Sequence, residues 1–360
     1  MAKTVTLEAL RQTVIDRREM LSDRMVSVKS LFMDPDEPGR MVLRNQGRDQ
    51  DESFEMNPRV YGQLPQIAYG LPGAYVKKLI DGDHPDPELA ARNFNYWVDC
   101  SKDREVLARF KTDKDGKQVI RSIKPGGWNP IPYEDTLETF ITKFGPDKEV
   151  GIERFDDTGL VLNFISKKLE YETNSRIHDI GKRDDPIEWG FRWQDSDAGV
   201  GDMTTAPYIR RLICLNGATT MSKGICINIS HSNKESRDPM NVQSLLRQSV
   251  EMVDGHSTKM SERITEAQGV NLELDEDGTP KAAVKRLERD MAVTRLQQRH
   301  VLEAWEVEQE SIPEPSLYRL HNAVTRAGTH AEELAPEARL HLQSVGGRML
   351  ELAGSSHYWN

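Results

Sequence analysis

The chain has 360 residues, 48 Lys and Arg against 58 Asp and Glu, and 37% hydrophobic residues. That length allows one large domain or two to three small ones, with enough apolar content for a sizeable core, so wholesale disorder is excluded. A net charge of −10 argues against indiscriminate coating of duplex DNA, although a local basic groove can sit inside an acidic chain.

No apolar run approaches the ~20 residues of a membrane span, and Met1–Arg11 lacks the apolar segment of a secretory signal. The three cysteines (Cys100, Cys214, Cys226) form no CxxC pair, which excludes a disulfide scaffold and a zinc ribbon. A reducing, cytoplasmic setting is expected.

In chain order, Val5–Ser22 has helical apolar spacing. Met25–Phe32 and Arg40–Leu43 read as strands flanking a turn, and the polar stretch Arg44–Pro58 reads as a linker. Tyr61–Leu71 and Gly73–Asp81 read as short helices, and Pro87 opens a helix running to about Cys100. Val106–Lys111 and Gln118–Ile123 enclose an Asp-Gly turn, a hairpin signal. Its charged turn is followed by Pro125-Gly-Gly-Trp128, an expected flexible aromatic tip. Pro132–Phe144 reads as a helix.

Leu160–Tyr171 and the alternating Trp189, Phe191, Trp193 read as strands, Ala206–Leu215 as a short helix, and Ile225–Ile229 as a strand. Asn241–Gln268 reads as a helix stopped by Gly269. Thr279-Pro280 opens another, expected to run to about Gln309, and Ser316–Ala327 and Pro336–Ala353 close the chain. The class expected is α+β: a mixed or antiparallel sheet with packed helices and a helical C-terminal region. The expected divisions are an arm and linker (1–59), a core domain (60–238) and a helical region (239–360).

The segments QLPQIAYGLPGAYVKKLID (63–81), ELAARNFNYW (88–97), EVLARF (105–110), Val119–Phe144, Gly190–Gly217 and Tyr318–Leu350 resemble the phage/plasmid-like family catalogued as domain of unknown function 932, over roughly residues 60–350. The most specific part is Gln194-Asp-Ser-Asp-Ala-Gly199 followed by Arg211-Leu-Ile-Cys-Leu-Asn-Gly217. Asp195 stands where that family often has Asn, and Ser230-His231 where it often has Arg-His. The resemblance implies a phage or plasmid context. By fold-level analogy it also implies similarity to single-strand annealing recombinases, which assemble as homo-oligomers, rings among them.

Chemistry-bearing patterns are few. Asp184, Asp185, Glu188, Asp195, Asp197 and Asp202 could hold Mg²⁺ for a nuclease, but they equally suit a solvated loop with a turn cap. The nine histidines form no metal-spaced motif. His178 and His231 bracket the most specific part of the resemblance, where a structural histidine is the commoner case, and Cys214 reads as core. There is no nucleophile elbow and no phosphate loop, so no catalytic residue, metal or cofactor is assigned.

Basic residues remain. Ser101–Gly126 holds eight Lys or Arg against four Asp or Glu. Arg109, Lys111, Lys117, Arg121 and Lys124 with Trp128, extended by Lys167, Lys168, Arg192, Arg210 and Arg211, are expected to line one exposed trough for single-stranded DNA. The C-terminal helices carry a second charge signal: Lys281–Arg299 is basic and Glu303–Glu314 has five glutamates and no base. That asymmetry suits contact with another subunit or ordinary packing. The function expected is non-enzymatic: single-strand binding that promotes annealing or recombination without hydrolysis. The alternatives are the metal-dependent nuclease and a protein-binding phage factor acting in counter-defence or assembly.

Overall fold

A computed structural model describes the chain apart from residues 1–2, 38, 45–50, 69, 114, 170–186, 200, 212–215, 220–225, 233–237, 256 and 360. Two sheets organise it. The first runs β1 (Lys3–Thr6), β8 (Glu149–Asp156), β9 (Gly159–Leu169), β10 (Ile187–Asp195), β11 (Met203–Arg211) and β12 (Asn216–Thr219), with β13 (Ile227–Ile229) also pairing β11. Every pair in it is antiparallel. The second runs β2 (Leu21–Ser27), β6 (Glu105–Thr112), β7 (Gln118–Pro125), β5 (Glu52–Met56), β4 (Arg40–Leu43) and β3 (Leu31–Met33), antiparallel except for β5 against β7. The fold is α+β, with antiparallel and mixed sheets and packed helices.

The Asp-Gly signal joins β6 to β7 as expected. Gly116 takes φ +80°, and the Asp113 carboxylate accepts the backbone N–H groups of Asp115 and Lys117 at 3.0 and 2.8 Å. Residues 206–211, the described part of the helix expected over Ala206–Leu215, belong instead to the strand β11. Thr204 and Thr205 are β-branched, and Pro207 has no N–H for a helix ladder. Pro207 is tolerated in an inner strand because of its register. β13 pairs with residues 203–205 and β12 with residues 208–211, so Pro207 falls between them.

The segment 1–59 contributes strands to both sheets rather than forming an arm. β1 pairs β8, β2 pairs β6, and Glu52–Met56 of the expected linker becomes β5, with Phe54 and Met56 in the core of the second sheet. Tyr61–Leu71 forms no α-helix; a 3₁₀ segment spans Pro58–Gln66.

One face of the first sheet carries α1 (Leu7–Arg18), α4 (Tyr133–Phe144) and α5 (Pro239–Gly255). Phe164 and Phe191 stack with ring centres 4.3 Å apart, and Phe140 of α4 lies 4.7 Å from Phe164. The second sheet packs on α2 (Gly73–Asp81) and α3 (Pro87–Cys100), the latter capped by Asp86 on the Leu89 N–H at 2.9 Å.

The expected 241–268 helix is two helices, α5 and α6 (Ser257–Gly269). The long helix after Pro280 also breaks, into α7 (Lys281–Met291) and α8 (Arg295–Glu308). Ala292 is left-handed (φ 54°), and Thr294 with Gln297 forms a capping box that starts α8. α9 (Leu317–His330) and α10 (Pro336–Glu351) follow, and α10 reaches the remaining face of the first sheet through Gln343 and Arg192. No helix among the described residues is long and apolar enough to cross a membrane.

Candidate nucleic-acid interface

The loop that leaves β10, Asp195–Gly199, is the joint between the two sheets. Gly199 has φ +65° and returns its N–H to the Ser196 carbonyl at 2.8 Å, closing a turn. A Cβ there would lie 2.1 Å from Lys124 Cε. The turn lies against β6 and β7. Arg121 Nη2 donates to Asp197 Oδ2 at 2.7 Å, and Arg109 donates to the Asp197 carbonyl and to Asp23 Oδ1 at 2.8 Å. Ser122 Oγ donates to the Ala198 carbonyl at 2.7 Å and Lys124 Nζ to the Gly199 carbonyl at 2.6 Å.

Behind it, Tyr133 Oη accepts the Asp197 N–H at 2.9 Å and donates to the Asp195 carbonyl at 3.2 Å. Burial holds its phenol well above the ordinary value. His231 places Nε2 2.8 Å from Asp195 Oδ1 and Nδ1 2.9 Å from the Asn129 carbonyl. Trp128 stacks on that imidazole at 4.7 Å, with the Arg109 guanidinium 5.2 Å from the indole.

The expected exposed trough is not what these residues build. Arg109, Arg121, Lys124 and Trp128 are buried, because the Asp195–Gly199 loop supplies the carboxylate and carbonyls that accept from the three cations. The Pro125–Trp128 tip is folded in: the Trp128 N–H donates to the Pro125 carbonyl and the Asn129 N–H to the His231 carbonyl. Lys111 pairs with Asp157 at 2.9 Å, and Lys117 pairs with Glu55. Arg192 is buried on the other face of the first sheet, donating to Asn163 at 2.7 Å and stacked over Tyr208 at 4.7 Å. A cation already satisfied inside the protein must lose that partner before it can hold a phosphate.

The last four candidates fall elsewhere. Lys168 and Arg210 both stand opposite Glu188, Lys167 stands opposite Trp189, and Arg211 opposite Ile187. These positions gather at one end of β9, β10 and β11, seven residues from Asp195, or about 23 Å along the strand. The side chains of Lys167, Lys168, Arg210 and Arg211 lie outside the described residues.

Half of the carboxylates of the nuclease reading, Asp184, Asp185 and the Glu188 side chain, lie outside the described residues, as do His178 and Cys214. Asp195 is committed to His231, Asp197 to Arg121, and Asp202 is exposed. Among the described residues no group of three His, Cys, Asp or Glu could hold a metal ion. The Asp195–His231 contact and Tyr133 were not assigned a role from the sequence. Partners 36 and 64 residues apart leave no spacing signal.

Both ring nitrogens of His231 face acceptors, so the folded site holds a proton. Burial is the largest single effect and lowers the imidazole, but the Asp195 hydrogen bond and charge, with the Asn129 carbonyl, together outweigh it and the net shift is upward from 6.5. Burial also raises Asp195 above 3.8. Folding thus favours the protonated pair. The His231 contribution is complete below pH 6.5 and is lost as pH rises through its folded value, whereas that of Asp195 is complete only below 3.8. Lys124 runs the other way: burial, then Arg109, pushes it down to about 8 from 10.5. Between those values the unfolded chain holds more protons, so stability recovers as pH rises. Thermal melting is expected to decline above pH 6.5 and to lose that decline in His231→Gln. A melting temperature that rises steadily from pH 6 to 8 would contradict the assignment.

Compared with models of known families, with curated proteins and with solved structures, the chain matches none.

Proposed function

We propose that this is a phage or plasmid DNA-metabolism protein that binds single-stranded DNA without cutting it, holding strands for annealing as a homo-oligomer. The contact belongs at the far end of β9, β10 and β11 rather than at the inter-sheet joint. The observation that carries this reading is the register there: Lys167, Lys168, Arg210 and Arg211 stand within one residue of Glu188 across three adjacent strands. Lys168 and Arg210 share the row of Glu188, and Lys167 and Arg211 stand in the rows on either side of it, of opposite parity, so a strand that wraps this end of the sheet meets four cations against one acid. The family resemblance supports the same class.

Fluorescence anisotropy with a labelled oligonucleotide tests it. Engagement of four phosphates gives log K a slope of about −3 against log salt, at roughly −0.7 per phosphate on single strands. Lys168→Glu/Arg210→Glu is expected to weaken binding at low salt by about tenfold or more. No binding at low salt, or an unchanged double variant, would sink the proposal.

A second reading, a protein-binding factor, is favoured by an exposed patch on α2 and α3. Tyr75 and Tyr96 are 41% and 63% exposed, and Leu89 39%, with Asn93 donating to the Tyr75 hydroxyl at 3.2 Å. A stoichiometric protein partner that Tyr96→Glu abolishes, with no nucleic acid present, would support it.

A further inference from the structure

Strand β8 carries one residue more than its partner. Ile152 stands opposite Leu162 and Arg154 opposite Val161, which leaves Glu153 as the extra residue. Faces alternate along a strand with period two, so an insertion reverses the parity beyond it. Ile152 accordingly packs on the hydrophobic core, whereas Arg154 joins the row of Val161 and Gln194 on the opposite face. Arg192 stands two residues along β10 on that same face. The bulge is therefore what puts two arginines from non-adjacent strands on one surface.

Both line a cleft of about 340 Å³ between this face and α10, together with Gln194, Glu337, His341 and Ser344. Among the described residues, neither guanidinium is fully satisfied. Arg192 is 3% exposed and donates through Nε and Nη1, but its Nη2 has no acceptor, with the Glu153 carboxylate 3.9 Å away. Arg154 has a side chain 14% exposed and a buried Nε without an acceptor, and its one ion pair among the described residues is to Glu337 at 3.6 Å.

The cleft also has acids, but they do not answer these donors. Asp195 accepts from His231 and the Ser196 N–H through Oδ1 alone, and its buried Oδ2 has no donor among the described residues, so neither arginine is bonded to it. Asp202 is exposed, and the Glu337 side chain is 53% exposed, so water screens both. Buried guanidinium donors without acceptors are costly, and a planar fork matches an oxyanion with two or more oxygens.

We infer that this cleft binds a phosphate-type oxyanion carried by a small molecule, gripped by Arg154 and Arg192, with Ser344 and His341 as further polar contacts. The ligand takes the place of Glu337 beside Arg154. The site is independent of the proposed strand contact, whose residues lie at the other end of the same sheet.

Calorimetric titration of inorganic phosphate, and separately of ribose 5-phosphate, into the full chain in chloride buffer tests this. Saturable binding of either is expected. Arg154→Met should weaken it by about tenfold or more, and Glu337→Gln should tighten it several-fold by removing the competing carboxylate. The gain in Glu337→Gln keeps the test decisive even if Arg154→Met folds poorly, since a folding defect does not tighten binding. Lys168→Glu/Arg210→Glu should leave phosphate affinity unchanged, whatever it does to oligonucleotides. Absence of saturable binding by the unsubstituted protein, an affinity unchanged in Arg154→Met, or one not improved in Glu337→Gln would overturn the inference.

Discussion

Asp197→Ala is expected to destabilise the protein by about 3–5 kcal/mol, the cost of leaving a buried charge without its partner. Asp197 accepts from Arg121 at 2.7 Å, and Arg121 Nε and Nη1 have no other acceptor to fall back on. The Arg121 side chain is only 2% exposed, so water cannot replace the lost carboxylate. Arg109, which donates to the carbonyl of the same residue, keeps Asp23 and is strained less. Asp197→Leu/Arg121→Met removes both charges at once and is expected to recover much of the loss, because a buried pair exchanged for apolar groups is often close to neutral. Urea unfolding measures both. A loss below about 1 kcal/mol in Asp197→Ala, the range of exposed pairs, would show that the joint is open to solvent.

Gly190→Ala is expected to cost about 3 kcal/mol or more, at the upper end of overpacking. An ideal Cβ at Gly190 would lie 1.7 Å from the Phe164 carbonyl oxygen and 2.7 Å from its carbon. The obstacle is backbone, so no rotamer change relieves it. β9 and β10 would have to separate where their register shifts between Trp189 and Gly190, next to the stacked Phe164 and Phe191 rings. Thermal unfolding and the near-ultraviolet aromatic signal should fall together. A variant with unchanged melting would mean that the strands are not in this register.

Where local chemistry decided the structure, the sequence was readable. The β6–β7 hairpin follows from Asp-Gly, α3 from Asp86-Pro87, and the aromatic face of β10 from the alternation of Trp189, Phe191 and Trp193. The segment after Ala206 is the strand β11, whereas its apolar spacing suits a helix. Pro207 spoke against that, and only the outer strands that flank it explain how a sheet tolerates it. The break at Ala292 had a signal in Thr294-x-x-Gln297, outweighed by apolar positions that continue in register on both sides.

The candidate site was the least legible part. Arg109, Arg121 and Lys124 look like free cations because the loop that engages them lies 75 to 88 residues further on. Charge along the chain records a local excess, not what folds back onto it. Arg154 was invisible for a different reason: without the bulge at Glu153 its parity assigns it to the core face with Ile152.

The separation of a buried joint (Arg109, Arg121, Lys124 and Trp128) from the proposed strand-binding end (Lys167, Lys168, Arg210 and Arg211) is most directly tested by lysine acetylation read by mass spectrometry, with and without a single-stranded oligonucleotide. Lys167 and Lys168 should react in the free protein and be protected by the strand, while Lys124, 5% exposed and bonded to the Gly199 carbonyl, stays unreactive in both. Ready acetylation of Lys124 in the free protein, lost on adding the strand, with Lys167 and Lys168 unaffected, would contradict the account.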